Sequence, residues 1–291
     1  MKLQKIPIDG GFSCPNRDGT CGHGGCSFCR NEAFAPSYCR EAGSIAAQLE
    51  AGKRFFGRKH RGEVGYVAYF QSYTGTHASI GQLRSRYDEA LSVEGIVGLA
   101  IGTRPDCLGD EVLDLLSDLQ KRTDIQLEVG VESCYDATLL RVGRGHDFAC
   151  TVDALRRASA RGFRVGIHLI IGLPGESRQM ILREADILSE LPIASLKLHQ
   201  LQIVEGTRMA EEWRQRPEAF MALTLDEYVA LVADFVSRLR KDIVVERFAA
   251  QGPRDMVLWP KWGVKPALVE QRIQEELRKR DVSGHEMLNI K

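Results

Sequence analysis

The sequence predicts an α/β fold built as one domain, a full or partial β/α barrel. Its length of 291 residues suits a single barrel. Short apolar segments alternate with amphipathic segments, at a spacing of roughly 30 residues per β-α-β unit. At least six such units follow one another, which favours a barrel over two domains. A doubly wound open sheet is the alternative that the same alternation allows.

The candidate strands are short runs rich in Val, Ile and Leu, bounded by Gly, Pro or Asp. In chain order they are residues 2–8, 64–70, 96–103, 125–132, 165–171, 195–203 and 243–248. The fourth strand alternates Glu128, Gly130 and Glu132 with Val129 and Val131, so the two carboxylates are expected to share the inner face of the barrel.

Apolar residues at helical spacing predict the helices between these strands. The clearest cases are residues 110–122, 153–161, 178–191 and 225–239. Asp147 is the expected N-cap of the helix after the fourth strand. A surface helix is predicted over residues 265–280, with Leu268, Ile273 and Leu277 as its packing residues.

Charge is balanced over the whole chain but not along it. Lys and Arg together number 39, as do Asp and Glu, so the formal net charge is zero. This excludes a uniformly basic nucleic-acid-binding protein, but it allows a local basic patch. Residues 1–62 carry a net charge of +5 and residues 241–291 a net charge of +2, around a central segment of −7.

The expected location is the cytoplasm. The chain has no apolar run of 18 residues, and its first residues lack the apolar core of a signal peptide. Stable disulfides are rare in that compartment. Yet four of the eight cysteines, Cys14, Cys21, Cys26 and Cys29, fall within sixteen residues.

Three interpretations fit this cysteine cluster, which lies in the glycine-rich loop 10–30 after the first strand. Cys26 and Cys29 form a CxxC pair, whose two thiolates reach one metal or cluster from a single turn. A disulfide is disfavoured in the cytoplasm. A structural zinc site could use the four cysteines, or His23 as one ligand. An iron–sulfur cluster held by three cysteines is favoured by the position of the loop after the first strand.

Seven short words in order along the chain resemble one family. They are GGFSCPNRDG, GGCSFC, AYFQSYT, GTRPDC, GRGHDF, HLIIGLPGE and LKLHQL. Together they resemble the radical S-adenosylmethionine (SAM) superfamily, in the branch of the YhcC-like proteins and the elongator catalytic subunit. The commonest spacing of that superfamily is Cys-x3-Cys-x2-Cys, and this chain departs from it with eleven residues between Cys14 and Cys26.

The resemblance implies a partial (βα)6-type barrel that binds a [4Fe-4S] cluster through Cys14, Cys26 and Cys29. It also implies reductive cleavage of SAM to a 5′-deoxyadenosyl radical, with an electron donor such as flavodoxin or ferredoxin. Cys21 falls outside the family's set of three cysteines. It is an incidental thiol, a fourth ligand in a resting state, or a sign of zinc.

The same resemblance places the SAM contacts at strand ends. Arg144 is expected beside the SAM carboxylate, which a guanidinium can hold through two parallel bonds. Ile170 is expected against the adenine. The other expected contacts are Gln71, Ser72, Thr103, Glu128, Glu132, His168 and Gly172. Each has a structural alternative: Glu128 and Glu132 could be carboxylates paired with Arg141 or Arg144, and His168 a core histidine.

The candidates for the substrate side are Arg104, Lys197 and His199. Lys197 and His199 share one face of the sixth strand, and Arg104 stands before Asp106, a possible helix cap. A basic, aromatic segment, 53–61, suits phosphate contacts and base stacking, or it is a solvated helix end. The segment 259–262, with two Trp residues, could form a substrate wall or close the barrel bottom.

The predicted organisation is a core barrel over residues 1–250 and a C-terminal extension over residues 251–291. The leading functional hypothesis is a radical SAM enzyme that modifies a macromolecule, with tRNA favoured. A second hypothesis is a radical SAM enzyme acting on a small metabolite or a protein. A third is a zinc-stabilised binding module without catalysis. No catalytic residue is assigned.

Overall fold

The computed structural model describes residues 2–57, 64–250, 252–253 and 255–280. In chain order, the strands in this part of the chain are β1 (Lys2–Ile8), β2 (Val64–Phe70), β3 (Ile96–Thr103), β4 (Asp124–Glu132), β5 (Val165–Ile171), β6 (Ser195–Gln200), β7 (Ile203–Val204), β8 (Val244–Arg247) and β9 (Val257–Trp259).

The helices of the same part surround these strands. They are α1 (Ser37–Glu41), α2 (Ile45–Gly57), α3 (Ile80–Leu91), α4 (Asp110–Gln120), α5 (Asp136–Arg141), α6 (Phe148–Ala160), α7 (Arg178–Ser189), α8 (Arg208–Gln215), α9 (Leu225–Arg238) and α10 (Pro266–Lys279). None of the helices in these residues is both long enough and apolar enough to span a membrane.

Seven strands form one curled parallel sheet, a half-barrel. Their order is β1-β2-β3-β4-β5-β6-β8, so each strand pairs with the strand of this sheet that follows it along the chain, and only β7 is passed over. A doubly wound sheet reverses its strand order at a switch point, and the sequential order excludes that alternative. The predicted partial β/α barrel is therefore confirmed.

Alternation along each strand separates the apolar core from the polar interior. On β4, Leu127, Val129 and Val131 are buried in the core under the helices, whereas Glu128 and Glu132 face the inside of the half-barrel. Parallel strands with one face against helices and one face around a cavity need this pattern. The expected shared face of the two carboxylates is confirmed.

The predicted strand over 195–203 is wrong beyond Gln200. After that residue the chain leaves the large sheet, and β7 pairs antiparallel with β9. This pairing buries Ile203 and Val204 completely or nearly so. The apolar run 195–203 is therefore continuous in sequence, but its residues belong to two different sheets.

The C-terminal helix forms as predicted, but one of its packing residues differs. Val269, Ile273 and Leu277 recur every four residues and are buried in the core, while Leu268 is 41% exposed. One residue along a helix turns a side chain by about 100°, which moves Leu268 off the buried face. The division at residue 250 stays a prediction.

The helix caps follow the sequence signals where a side chain can reach a free N–H. The Asp147 carboxylate accepts a hydrogen bond from Cys150 N at the start of α6, as expected. Asp106 is not the cap of α4, because Gly109 occupies that position. Thr224 and Glu227 form a reciprocal capping box at the start of α9.

Behind the end of β4, two buried carboxyl groups share one hydroxyl. Ser133 Oγ lies 2.5 Å from Glu176 Oε1 and 3.2 Å from Glu184 Oε1, and it accepts a hydrogen bond from Tyr135 N. A hydroxyl donates only one proton, so Ser133 cannot donate to both carboxyl groups at once. Burial raises the pKa of Glu176 to about 7, and burial with the Glu176 charge raises the pKa of Glu184 well above its usual range. Both shifts favour a proton on this pair at neutral pH.

This pair predicts that the protein loses stability as the pH rises. Between about pH 5 and pH 8 the unfolded glutamates are ionised, whereas the folded pair must release its proton at a cost of about 1.4 kcal/mol per pKa unit. The free energy of unfolding should fall over this range by roughly 1–3 kcal/mol. Glu184→Gln should flatten the decline, since an amide stays neutral and keeps its hydrogen bonds.

Urea unfolding at about pH 5 and about pH 8 measures this fall in the free energy of unfolding. Glu190→Gln, an exposed residue that follows the same helix α7, is the control and should keep the wild-type decline. Equal declines in the wild type and in Glu184→Gln would contradict the protonated pair.

Candidate active site

A cavity of about 740 Å³ occupies the inside of the half-barrel and opens at the carboxyl ends of its strands. This is the end at which parallel α/β folds carry their chemistry. All seven strands of the large sheet supply its floor, and the loops after β1, β2 and β3 supply its mouth. The predicted site residues that line it are Cys14, Cys26, Cys29, Gln71, Thr103, Arg104, Glu128, Glu132, Arg144, His168, Ile170, Lys197 and His199.

Two of the predicted SAM contacts do not line this cavity. Ser72 is buried behind the wall. Gly172 borders a separate small pocket that also includes Trp259 and Trp262. The Trp262 indole N–H donates to Leu223 O at 3.0 Å and its ring packs against Tyr228, so these tryptophans do not form a wall of the large cavity.

The cysteine loop is held in place by backbone contacts. Asn16 is buried, and its amide donates to Gly143 O at 2.5 Å. Ser27 N donates to Val142 O, and the Arg208 guanidinium bonds Gly25 O. Gly25 has φ +80°, a conformation that glycine adopts without steric cost. The loop is therefore fixed against α5 and α8 before any cofactor is considered.

Three thiols of the loop face the cavity and the fourth does not. Cys14, Cys26 and Cys29 line it, whereas Cys21 is exposed and is not among the lining residues. Burial and the neighbouring Cys26 raise the pKa of Cys29 to about 11. All eight cysteines lie in the described residues and none is in a disulfide. The donor set fits a cluster held by three thiolates.

The zinc interpretation finds no support in the side-chain arrangement. A structural zinc ion needs four ligands bonded to one centre. In the described ranges, no three His, Cys, Asp or Glu side chains come together in a way that could hold a single metal ion. The Cys21 thiol instead lies 3.9 Å from Arg104 Nη2.

Arg144 reaches the cysteine that is most deeply buried. Its Nη1 lies 3.7 Å from Cys26 Sγ, its Nη2 donates to Gly130 O at 2.6 Å, and its Nε donates to His146 Nε2 at 3.0 Å. Glu132, in the left-handed conformation with φ +67°, lies 3.4 Å from Nη2. Burial would lower the pKa of Arg144, but Glu132 and Cys26 outweigh it and raise the pKa.

Arg104 is the second buried guanidinium beside the loop. It binds Asp106 through two bonds, Nε to Oδ1 at 2.9 Å and Nη2 to Oδ2 at 2.7 Å. Its Nη1 is buried and has no partner. Asp106 therefore orients Arg104 and is not a helix cap, and one donor of Arg104 remains free beside the cavity.

Glu128 is the centre of the polar floor. Its carboxylate accepts from Lys5 at 2.6 Å, Lys197 at 2.5 Å, the Tyr69 hydroxyl at 2.6 Å and His168 Nε2 at 2.9 Å. These partners come from β1, β6, β2 and β5. Burial alone would raise the pKa of Glu128, but Lys197, His168 and Lys5 outweigh it and hold the pKa well below its usual range.

A second carboxylate completes the charge balance of the floor. Glu246 of β8 lies 3.7 Å from Lys5 Nζ and 3.6 Å from Lys197 Nζ. The two lysines and two glutamates therefore neutralise one another. Burial lowers the pKa of Lys197, and Lys5 adds to that effect. The alternative that pairs the two carboxylates with Arg141 or Arg144 is confirmed for Glu132, which lies 3.4 Å from Arg144 Nη2, and is wrong for Glu128. Arg141 binds Glu212 instead.

Three floor residues were not predicted from the sequence: Lys5, Tyr69 and Glu246. Lys5 and Glu246 are charged residues within strands, which was a usable signal. Tyr69 carried no such signal.

The basic segment 53–61 is described only in part. Phe56 lines the cavity, and Phe55 is 58% exposed. Lys53 bonds Glu50 and Glu94 O at 2.5 and 3.0 Å. Residues 58–61 lie outside the described residues, so phosphate contacts there stay a prediction.

Comparison with known proteins assigns a family. The Radical SAM superfamily model matches residues 19–188, and the Radical_SAM C-terminal domain model matches residues 193–279. The chain is 40% identical over 263 residues to protein YhcC of Escherichia coli (strain K12), covering 90% of this chain and 83% of that protein.

More distant similarities concern part of a sequence or the fold alone. A tRNA uridine(34) acetyltransferase of Methanocaldococcus infernus is 31% identical over 127 residues, covering 41% of this chain and 22% of that protein. The solved structure of the archaeal Methanocaldococcus infernus Elp3, with an N-terminal deletion, superimposes with a TM-score of 0.74 at 17% identity, covering 97% of this chain and 64% of that chain. The two family models and the YhcC similarity together show that this chain belongs to the radical SAM superfamily, a superfamily of enzymes.

Proposed function

We propose that this protein is a radical SAM enzyme that modifies a macromolecule, with tRNA as the favoured substrate. The observation that carries the first part is the set of three thiols, Cys14, Cys26 and Cys29, at the mouth of one cavity in a radical SAM half-barrel. A [4Fe-4S] cluster bound to them would supply the electron that cleaves SAM to a 5′-deoxyadenosyl radical.

The protein's own side chains have separable roles in this proposal. Arg144 places a fixed positive charge beside Cys26, where it would offset the negative charge of a cluster bound to that residue. Arg104 Nη1 and Thr74 Oγ1 are buried donors without a partner, and they suit the SAM carboxylate better than Arg144, whose nitrogens already have partners. Gln71, Thr103, Glu132 and Ile170 line the cavity on the same side and remain the proposed SAM contacts.

Two observations support a nucleic-acid substrate. Arg17, Arg30 and Arg247 line the cavity with positive charge that phosphates could meet. The partial similarity to a tRNA uridine(34) acetyltransferase points the same way. We propose that the enzyme works in the cytoplasm, where an electron donor such as flavodoxin or ferredoxin would reduce it. A small metabolite or a protein is the competing substrate.

Matched cysteine variants test the radical SAM assignment. After anaerobic reconstitution, the wild type should hold about four iron atoms per chain and release 5′-deoxyadenosine from SAM under reducing conditions. Cys14→Ala should lose most of the iron and all cleavage, because a ligand is gone. Cys21→Ala should retain both, since Cys21 does not line the cavity. Zinc uptake without SAM cleavage, or equal losses in the two variants, would contradict the assignment.

Filter binding of bulk tRNA tests the substrate class. Retention should fall roughly tenfold or more between 50 and 200 mM salt, because phosphate contacts release counterions. Absence of retention at low salt would reject tRNA and favour a small metabolite or a protein. The filter-binding assay uses the reconstituted protein and bulk tRNA from a strain that lacks this protein.

A further inference from the structure

Four buried polar atoms without a hydrogen-bond partner lie on residues that line the cavity. Among the described residues they are Thr74 Oγ1, Arg104 Nη1, His199 Nε2 and Gln202 Oε1. Each unpaired buried polar group costs about 1–3 kcal/mol. Their concentration around one cavity indicates that ligands supply the missing bonds.

These atoms fall into two places in the fold. Thr74 and Arg104 follow β2 and β3, and Thr74 N donates to Ser13 O in the cysteine loop. His199 lies on β6, and Gln202 stands two residues after the end of that strand, three strands away from β3 in the sheet order. The first place belongs to the proposed SAM site. The second place adjoins the expected adenine contact Ile170, which pairs with His199 in the strand register, but neither His199 nor Gln202 is itself a predicted SAM contact. We call His199, Gln202, Phe248 and Arg247 the β6 pocket.

The inner part of the β6 pocket is polar but carries no net charge. The lysines and glutamates of the floor neutralise one another. The His199 ring stacks on His168 at 5.1 Å between centroids, and burial with the His168 charge holds the pKa of His199 well below its usual range. A neutral imidazole nitrogen and an amide oxygen suit a neutral ligand edge with hydrogen-bonding groups, and Phe248 offers an apolar wall.

The rim of the same pocket carries a cation. Arg247 of β8 is exposed, lines the cavity, and lies beside Lys197 in the strand register. No carboxylate of the described residues forms an ion pair with it. Guanidinium groups bind phosphate through two parallel hydrogen bonds. The pocket therefore combines a neutral, hydrogen-bonding interior with an anion-binding rim.

We propose that the β6 pocket binds one nucleotide of the substrate, with the base at His199 and Gln202 and the phosphate at Arg247. This inference rests on the proposed function, because it makes the nucleotide part of a nucleic-acid substrate. Enzymes that act on a base must take it out of the stack and hold it by its hydrogen-bonding edge. A single unstacked nucleotide in the half-barrel would give hydrogen-bond partners to His199 Nε2 and Gln202 Oε1, which now lack them.

Equilibrium dialysis with pyrimidine mononucleotides tests the β6 pocket. The reconstituted protein is saturated with SAM, so that its adenine site is filled, and is offered UMP, CMP, uridine and cytidine. At least one nucleotide should bind with a Kd below about 1 mM and about tenfold more tightly than its nucleoside. Arg247→Gln should remove that tenfold difference. Arg122→Gln, at an exposed ion pair with Asp88, is the control and should leave binding unchanged.

Two further variants separate the base contact from a folding defect. His199→Phe and Gln202→Met should each weaken both nucleotide and nucleoside about tenfold, while the absorbance of the bound cluster stays at the wild-type level. Absence of nucleotide binding, or binding unaffected by both variants, would overturn the inference. If mononucleotides bind but tRNA is not retained, the pocket stands and the tRNA substrate fails. If tRNA is retained without mononucleotide binding, the pocket fails alone.

Discussion

A single buried carboxylate organises the inside of this half-barrel. Glu128 is 4% exposed and bonds side chains from four other strands. An open parallel sheet with an apolar inner face would collapse on its core or recruit a partner. Here the inner face is lined by lysines, histidines and a tyrosine, which need a negative charge at their centre to be buried at all. The cavity therefore depends on the negative charge of Glu128, which allows these polar side chains to be buried.

The cavity has two sides that differ in charge, with the neutralised lysines and glutamates of the floor between them. Near the cysteine loop, Arg144 holds positive charge beside Cys26, a thiol that a cluster would need as a thiolate, and Arg104 holds positive charge beside Cys21. Near β6, the lysine charges are cancelled, and the unpaired atoms of His199 and Gln202 are neutral. The two sides of the cavity therefore suit different ligand groups, charged groups near the cysteine loop and neutral hydrogen-bonding groups near β6.

Much of this fold could be predicted, because the spacing of apolar residues and the bounds of the apolar runs identify the strands and helices. Strands β1, β2, β3 and β5 begin and end where the apolar runs do, and alternation placed Glu128 and Glu132 inside. Partners could not be predicted, because they depend on which strands face each other across the half-barrel: Lys5 and Glu246 are 241 residues apart in sequence. The break after Gln200 likewise depends on a tertiary contact, the pairing of β7 with β9, that no local pattern reveals.

The most direct test of this account is the free energy of unfolding of Glu128→Ala by urea denaturation. Removing the carboxylate leaves Lys5 and Lys197 buried together with only Glu246 nearby, and the account predicts a loss of about 3–5 kcal/mol. Glu128→Gln should lose less, because an amide keeps some of the hydrogen bonds. Asp118→Ala, which removes an exposed ion pair, should lose less than about 1 kcal/mol. A loss in Glu128→Ala no larger than that of Asp118→Ala would contradict the central role of Glu128.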